Sequence, residues 1–305
     1  MSDVPDAPSA LVTGGAGFLG SHIADTLSER GFAVTLFDRQ PSPYRRPDQQ
    51  MVEGDILDAD ALMAAAEGCD VVYHLAALAD LNEARSRPHD AAKLNILGTL
   101  HALEAARAHR ARRFVFASTV YVYSRAGGFY RCSKQSCEAF IEEFQRQSGL
   151  AYTILRYGSL YGPRADASNG FYHLLRQARQ EGRIVHSGRP DDRRDYIHVG
   201  DAARLSVDAL DPAHENQHLV LTGPTSTRLE DLFTMFEEIL GRRIEVDYRA
   251  AEGDGHYRVT PYAYSPRTGH KLTSNLSVDM GQGILQLLEQ LDGENPENQP
   301  AEPTS

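Results

Sequence analysis

The chain has 305 residues, 41% of them hydrophobic, which is enough for one large domain or two linked ones with a substantial core. Lys plus Arg number 31 against 42 Asp plus Glu, a formal net charge of −11 that would repel phosphates and excludes nucleic acid as an expected partner. No stretch approaches the ~18 apolar residues of a membrane span, and the start MSDVPDAPS lacks the basic residues and apolar run of a signal peptide. Cys69, Cys132 and Cys137 are odd in number and carry no metal-ligand spacing. A reducing cytoplasm is therefore expected, without a disulfide scaffold or a metal site.

In chain order, short runs rich in β-branched and aromatic residues fall at 10–13, 33–38, 70–75, 113–118 and 151–156. Helix-length segments lie between them. In 91–108, Leu94, Leu97, Leu100, His101 and Leu103 follow the stripe of a half-buried helix. Strands alternating with helices predict a doubly wound α/β domain with a parallel sheet covered on both faces. Beyond it, Gly/Pro/Asp-rich passages at 162–170 and 188–194 flank a helix over 171–181, and LEDLFTMFEEIL predicts another over 228–240. The segment 291–305 (DGENPENQPAEPTS with its first residue at 292) has the composition of a disordered tail.

The first predicted strand runs into Thr13-Gly14-Gly15-Ala16-Gly17-Phe18-Leu19-Gly20, followed by a helical SHIADTLSER. Glycines let the backbone turn sharply and approach a pyrophosphate, while the helix N-terminus offers unpaired amides. A lone G-x-G-x-x-G is a weak signal, but here it sits between a strand and a helix, as dinucleotide binding requires. Eighteen residues past Gly20, the second strand ends in Asp38, placed for a ribose 2′-hydroxyl. A carboxylate there disfavours a 2′-phosphate and so argues for NAD, although the adjacent Arg39 could tolerate NADP. Residues 1–157 are thus expected to form an NAD-binding Rossmann domain, with a return segment near 190–205. Residues 158–290 are expected to form a smaller α/β substrate lobe.

Tyr130 and Lys134 are four apart and share one helix face. A phenol beside an ammonium and a cationic nicotinamide is expected to have its pKa lowered, so that it can exchange a proton while a hydride moves at the same carbon. A strand-end hydroxyl, Ser118 or Thr119, would bond the reacting oxygen. Cys132 falls off the Tyr130/Lys134 face and reads as a packed helix residue rather than a nucleophile. The scattered histidines show no chelating pattern.

The sequence resembles the extended short-chain dehydrogenases/reductases of the nucleotide-sugar epimerase/dehydratase type over nearly all of 9–290. The matching landmarks are TGGAGFLG, Gly54-Asp55-Ile56, His74-Leu75-Ala76-Ala77, Asn95 with Gly98-Thr99, and Tyr130/Lys134. Later ones are Leu155-Arg156-Tyr157, Tyr161-Gly162-Pro163-Arg164 and Arg194-Asp195-Tyr196-Ile197-His198. The resemblance implies that Asp55 and Ile56 flank the adenine, that Leu75, Ala76 and Ala77 with Asn95 line the cofactor, and that Tyr157 lies near the nicotinamide. It further implies that Arg194 clamps the substrate diphosphate, a role suited to a guanidinium fork. Tyr121, Ser159 and Asn169 are the other expected substrate-side residues. Asn169 reads equally as a helix cap, and His74 and His198 as structural. A homodimer through the helices near 91–108 and 130–147 is likewise implied.

Dehydrating members carry an Asp-Glu pair directly after the strand-end Thr, and decarboxylating members keep the Glu. Val120 and Tyr121 stand there instead. What remains is redox chemistry at one carbon, pointing to an NAD-dependent 4-epimerase of a nucleotide sugar, UDP-linked. The string Ser-Thr-Val-Tyr-Val-Tyr keeps a 4-ketosugar reductase as the alternative, ahead of a decarboxylase, a dehydratase or a non-catalytic scaffold. Only ten residues separate Thr119 from Tyr130, a loop shortened relative to the family. Its tight turn 124–128 carries Arg125, either an exposed turn residue or a group reaching a carboxylate or phosphate.

Overall fold

A computed structural model describes residues 7–249 and 256–263. The chain divides into two compact units after Ser265, and all described residues belong to the first. The expected tail at 291–305, and the expected lobe at 250–255 and 264–290, lie outside the described residues.

The N-terminal half runs β1 (Ser9–Thr13), α1 (Phe18–Glu29), β2 (Ala33–Asp38), β3 (Gln49–Glu53), α2 (Ala59–Ala65) and β4 (Val71–His74). It continues with α3 (Leu81–Ser86), α4 (Pro88–Ala91), α5 (Gly98–Ala108), β5 (Arg113–Thr119), α6 (Gly128–Ser148) and β6 (Tyr152–Tyr157). Then follow β7 (Ser159–Tyr161), α7 (Gly170–Glu181), β8 (Arg183–Ser187), β9 (Arg193–His198) and α8 (Val199–Asp208). The last described elements are β10 (Gln217–Leu221), β11 (Ser226–Arg228), α9 (Leu229–Leu240) and β12 (Glu245–Arg249).

The principal sheet has seven parallel strands in the order β10-β6-β5-β4-β1-β2-β3. All five runs expected as strands are present. β3 was not expected: its QQMVE lacks an apolar run, and only Gln49 of its five side chains is buried. β4 and β6 are buried at every position, as central parallel strands covered on both faces must be. Leu11, Phe114, Phe116 and Ile154 pack on one face with α2, α5 and α6, and Val12, Tyr73, Val115 and Leu155 on the other with α1 and α8. The predicted helix 91–108 is continuous but contains a π-helical turn, Ala92–Leu97, between α4 and α5.

Two elements of the expected return segment, 190–205, go different ways. Arg193–His198 forms the middle of a separate three-stranded sheet, β11-β9-β7, and the seventh strand is β10. Helix α8 within that span does return, packing beside α1. β8 and β12 pair in parallel and close a third core with α7 and α9, built on Leu174, Ile184, Phe233 and Phe236.

Candidate active site

The sheet order reverses at β1, whose neighbours are β2 and β4, and a doubly wound sheet opens a ligand crevice at such a point. Gly14 has φ +71°, and a Cβ there would come within 2.8 Å of the Ala76 amide nitrogen. A Cβ on Gly20 would collide with the Gly14 carbonyl. Gly17 caps α1 without a side-chain acceptor, so the first amides of this 12-residue helix have no side-chain cap. Phe18 and Leu19 are half-buried in its first turn.

Asp38 ends β2 with Oδ2 accepting from the Ala16 amide at 3.1 Å, and Arg39 is exposed. Asp55 Oδ1 accepts from the Leu57 amide, and Ile56 is buried directly beneath Gly98. Leu75, Ala76 and Ala77 follow β4, where the Ala76 amide donates to Thr13 Oγ1. Helix-terminal amides, a backbone open to close approach and a carboxylate at the second strand's end fit a dinucleotide's phosphates and ribose.

Two expected cofactor residues are engaged elsewhere. Asn95 is fully buried: its Oδ1 accepts from the Leu78 amide at 2.7 Å, and its Nδ2 donates to the Leu78 carbonyl and Ser133 Oγ. It ties the β4–α3 loop to α6, so any effect on a cofactor passes through that loop. The Tyr157 phenol points into the core, 2.6 Å from Ser206 Oγ on α8, leaving only its main chain at the strand end. Side chains alternate along a strand, so Arg156 faces one way and Tyr157 the other.

Thr119, Tyr130 and Lys134 come together. Thr119 is the buried last residue of β5; Tyr130 lies in the first turn of α6 and Lys134 one turn further on. Lys134 Nζ donates to the Ala117 carbonyl at 2.7 Å and stands 4.5 Å from the Phe116 ring centroid and 5.9 Å from that of Tyr130. Burial lowers the Lys134 pKa from 10.5 to about 8. The Tyr130 phenol does not show the lowering expected from its cationic neighbour: burial pushes it above its ordinary value, and hydrogen bonding with Thr119 only partly opposes this.

Ser118 is not the second candidate hydroxyl. It faces away from Thr119, and its Oγ donates to Glu138 Oε1 at 2.5 Å. The shortened loop is a 3-10 turn, Val120–Tyr123, after which Gly127 at φ +92° starts α6. Arg125 is exposed.

On the substrate side, the Tyr121 hydroxyl is 2.7 Å from His256 Nδ1, and its ring meets Tyr257 at 4.7 Å between centroids. Burial raises the Tyr121 phenol, with Tyr257 adding to it. Burial first, then the Arg194 charge, lowers His256. Arg194 is buried, its guanidinium 4.6 Å from the Tyr257 ring centroid and donating to the Arg193 carbonyl. No carboxylate among the described residues pairs with it. Arg258, next after Tyr257, bonds Asp191 at 3.1 Å.

Ser159 is half-buried in β7. Asn169 is a cap: Oδ1 accepts from the Tyr172 amide at the start of α7, and Nδ2 donates to the Leu160 carbonyl. His256 and Tyr257 were missed by sequence reasoning, since nothing in their local pattern links them to a residue about 135 positions earlier.

His74 is structural, wedged between Thr13 and Thr99 and lowered by burial to about 3, and His198 caps α8. Cys132 is exposed rather than packed, lying beside Arg131 near the start of α6. Among the described residues no cluster of three His, Cys, Asp or Glu could hold a metal, and no helix is long and apolar enough to cross a membrane.

Fold and site together define a dinucleotide-dependent enzyme with a Tyr/Lys pair at the mouth of a Rossmann sheet. Residues 10–221 match the model of the NAD dependent epimerase/dehydratase family, and the chain belongs to that family, with NAD as its cofactor. It is 27% identical to a putative UDP-glucose 4-epimerase of Methanocaldococcus jannaschii, over 93% of this chain and 99% of the relative. A UDP-N-acetyl-alpha-D-glucosaminuronate decarboxylase of Bacillus cytotoxicus is 30% identical over 66% of this chain and 70% of that one. Among solved structures, UDP-glucose 4-epimerase of Thermotoga maritima with UDP-glucose superposes with a TM-score of 0.77 at 30% identity, covering 84% of this chain and 90% of that one.

Proposed function

We propose that the protein is a UDP-sugar 4-epimerase, inverting C4 of a UDP-hexose or UDP-hexuronate through a transient 4-keto sugar. The observation that carries this reading is the meeting of Thr119, Tyr130 and Lys134 beside two side chains, Val120 and Tyr121, that supply no carboxylate. The epimerases among its relatives support the substrate class.

NAD, when bound, supplies the acceptor and donor of hydride. Gly14, Gly17 and Gly20 would receive its phosphates, with Asp38 on the ribose and Asp55–Ile56 and Leu75–Ala77 around the ring systems. Tyr130, as its phenolate, takes the proton of the sugar's 4-hydroxyl and later returns it. Thr119 donates a hydrogen bond to the reacting oxygen, and the Lys134 ammonium, an opposite charge close by, favours the phenolate over the phenol. Arg194 grips the diphosphate while the sugar turns to present its other face. Tyr121 and Ser159 bound the sugar and the phosphates.

The protein is further inferred to act in the cytoplasm as a homodimer. Its three cysteines are free, and Leu97 and Phe140 expose about 40% of their surface on the helices proposed to pair (43% and 40%).

The test is proton NMR of the sugar after incubation with UDP-glucose, UDP-galactose, UDP-glucuronate and UDP-N-acetylglucosamine, with catalytic NAD and no reductant. A C4 epimer reaching one ratio from either direction supports the proposal and names the substrate. Release of carbon dioxide would overturn it in favour of the decarboxylase reading. Inertness toward all four, with reduction of a 4-keto sugar by NADH, would make it the reductase that the string 118–123 resembles.

A further inference from the structure

Beneath the Tyr130/Lys134 pair lies a buried ionic network that the proposed reaction does not use. Glu138, one helical turn beyond Lys134, is 4% exposed. Its carboxylate accepts Nε and one terminal nitrogen of Arg156 at 3.0 and 2.7 Å, and Ser118 Oγ at 2.5 Å. Arg156 is itself held from two other elements: it donates to the Tyr123 hydroxyl in the 3-10 turn and to His218 Nδ1 on β10 at 2.6 Å, and the far side of that imidazole meets Glu142 at 2.9 Å. The carboxylate is therefore fixed from β5, β6 and α6 at once, and its Ser118 anchor is the residue before Thr119.

We propose that Glu138 is a positioning residue for Lys134: its carboxylate, clamped by Arg156 and Ser118, keeps the buried Lys134 side chain an ammonium beside Tyr130. Residues four apart on a helix lie side by side, and a fixed opposite charge favours the charged form of its neighbour. Among the described residues, the other groups around Lys134 carry no fixed negative charge. β5 offers it the Ala117 carbonyl and the Phe116 ring, α6 offers Tyr130 and the Cys137 thiol, and on β4 His74 is held neutral by burial. Burial lowers Lys134 to about 8 against the opposing influence of Cys137 and then Glu138; burial keeps the Cys137 thiol protonated, which leaves the Glu138 carboxylate, fixed by Arg156 and Ser118, as the standing negative charge.

The inference rests on Tyr130 and Lys134 being the reacting pair, and not on which sugar is converted. The chain has only three lysines, Lys93, Lys134 and Lys271, so protein labelled with carbon-13 at lysine Cε gives three NMR signals, and the one lost in Lys134→Arg belongs to Lys134. In Glu138→Gln the Lys134 midpoint should fall by about one pH unit. Lys93 and Lys271 should stay put, and Glu138→Asp should restore the parent midpoint. The charge left on Arg156 acts in the same direction. Because that unpaired charge also threatens folding, Glu138→Gln/Arg156→Gln is the second variant, with a smaller fall of the same sign. An unchanged Lys134 midpoint in either folded variant would overturn the proposal. Failure of both to fold would overturn it too, since the network would then serve the fold alone. The titration needs no substrate, so failure to find an epimerase activity leaves it intact, and its own failure leaves the epimerase reading intact.

Discussion

The Tyr121 hydroxyl meets His256 Nδ1 at 2.7 Å, joining the residue two places after Thr119 to a segment 135 positions away. Tyr121 and Arg194 both pack on the Tyr257 ring, which links the pair to the proposed diphosphate clamp. Burial keeps the phenol protonated and the imidazole neutral, which makes them hydrogen-bonding groups rather than an acid and a base. Tyr121→Phe removes one such bond while keeping the ring on Tyr257. About 1 kcal/mol is at stake, so kcat/KM should fall roughly fivefold to tenfold through KM, with NAD affinity unchanged. Steady-state kinetics of the epimerisation check this; a loss confined to kcat would instead make Tyr121 a proton-transfer group.

The contrast between this pair and the glycine turn shows what the sequence carried. Strand, glycine turn, helix and Asp38 lie within thirty residues, each constrained by a local backbone requirement, so the pattern could be read directly. Tyr130 and Lys134 were legible because a helix places i and i+4 on one face. Ser118 against Thr119 was not, because two adjacent hydroxyls at a strand end differ only in which face they reach, and Glu138 on the next helix decides it. Asn95 and Tyr157 were assigned to the cofactor from their motifs, but Leu78, Ser133 and Ser206 take up their polar atoms. The seventh strand, β10, was not read from the sequence, and β9 in the expected return segment pairs with β7 and β11 rather than with the main sheet.

Tyr130→Phe should lower kcat by about 10²–10⁴-fold, the usual worth of a positioned proton-transfer group. The ring keeps its place on the helix, so NAD binding should survive within about threefold by fluorescence titration. Lys134→Met should lower kcat as well, because it leaves no ammonium beside the phenol, already raised by burial, to favour the phenolate that accepts the proton. Retention of more than a tenth of parent activity in Tyr130→Phe would remove it from the reaction.

Gly20→Ala tests the close approach of the turn to α1. The added methyl would run into the Gly14 carbonyl, which is backbone and cannot swing aside. The turn must move, carrying with it the α1 amides proposed for the pyrophosphate. NAD affinity measured by calorimetry should drop at least about tenfold, a conservative bound for misplacing several hydrogen bonds to a charged group. Gly31→Ala is the control: its φ of +84° would cost the fold some stability, but nothing crowds a Cβ there and the position has no place in the site, so affinity should hold.

His74 makes stability depend on pH. Thr99 Oγ1 donates to the Asn95 carbonyl at 2.5 Å, so at 3.0 Å it accepts from His74 Nε2–H, leaving Nδ1 to accept from Thr13 at 2.8 Å. A second ring proton would place a charge in a site that burial and the nearby Lys134 ammonium both disfavour, hence the lowering to about 3. The folded pKa is below the unfolded value of 6.5, so this contribution is fully present above 6.5 and is lost as pH falls toward 3. Within that window the unfolding free energy should decline by about 1.4 kcal/mol per pH unit from this residue alone. Urea unfolding at several pH values between 7 and 4 measures the slope. In His74→Asn, which cannot titrate there, the slope should be shallower by about one proton; equal slopes in parent and variant would show that the imidazole is protonated as readily in the folded chain as in the unfolded one.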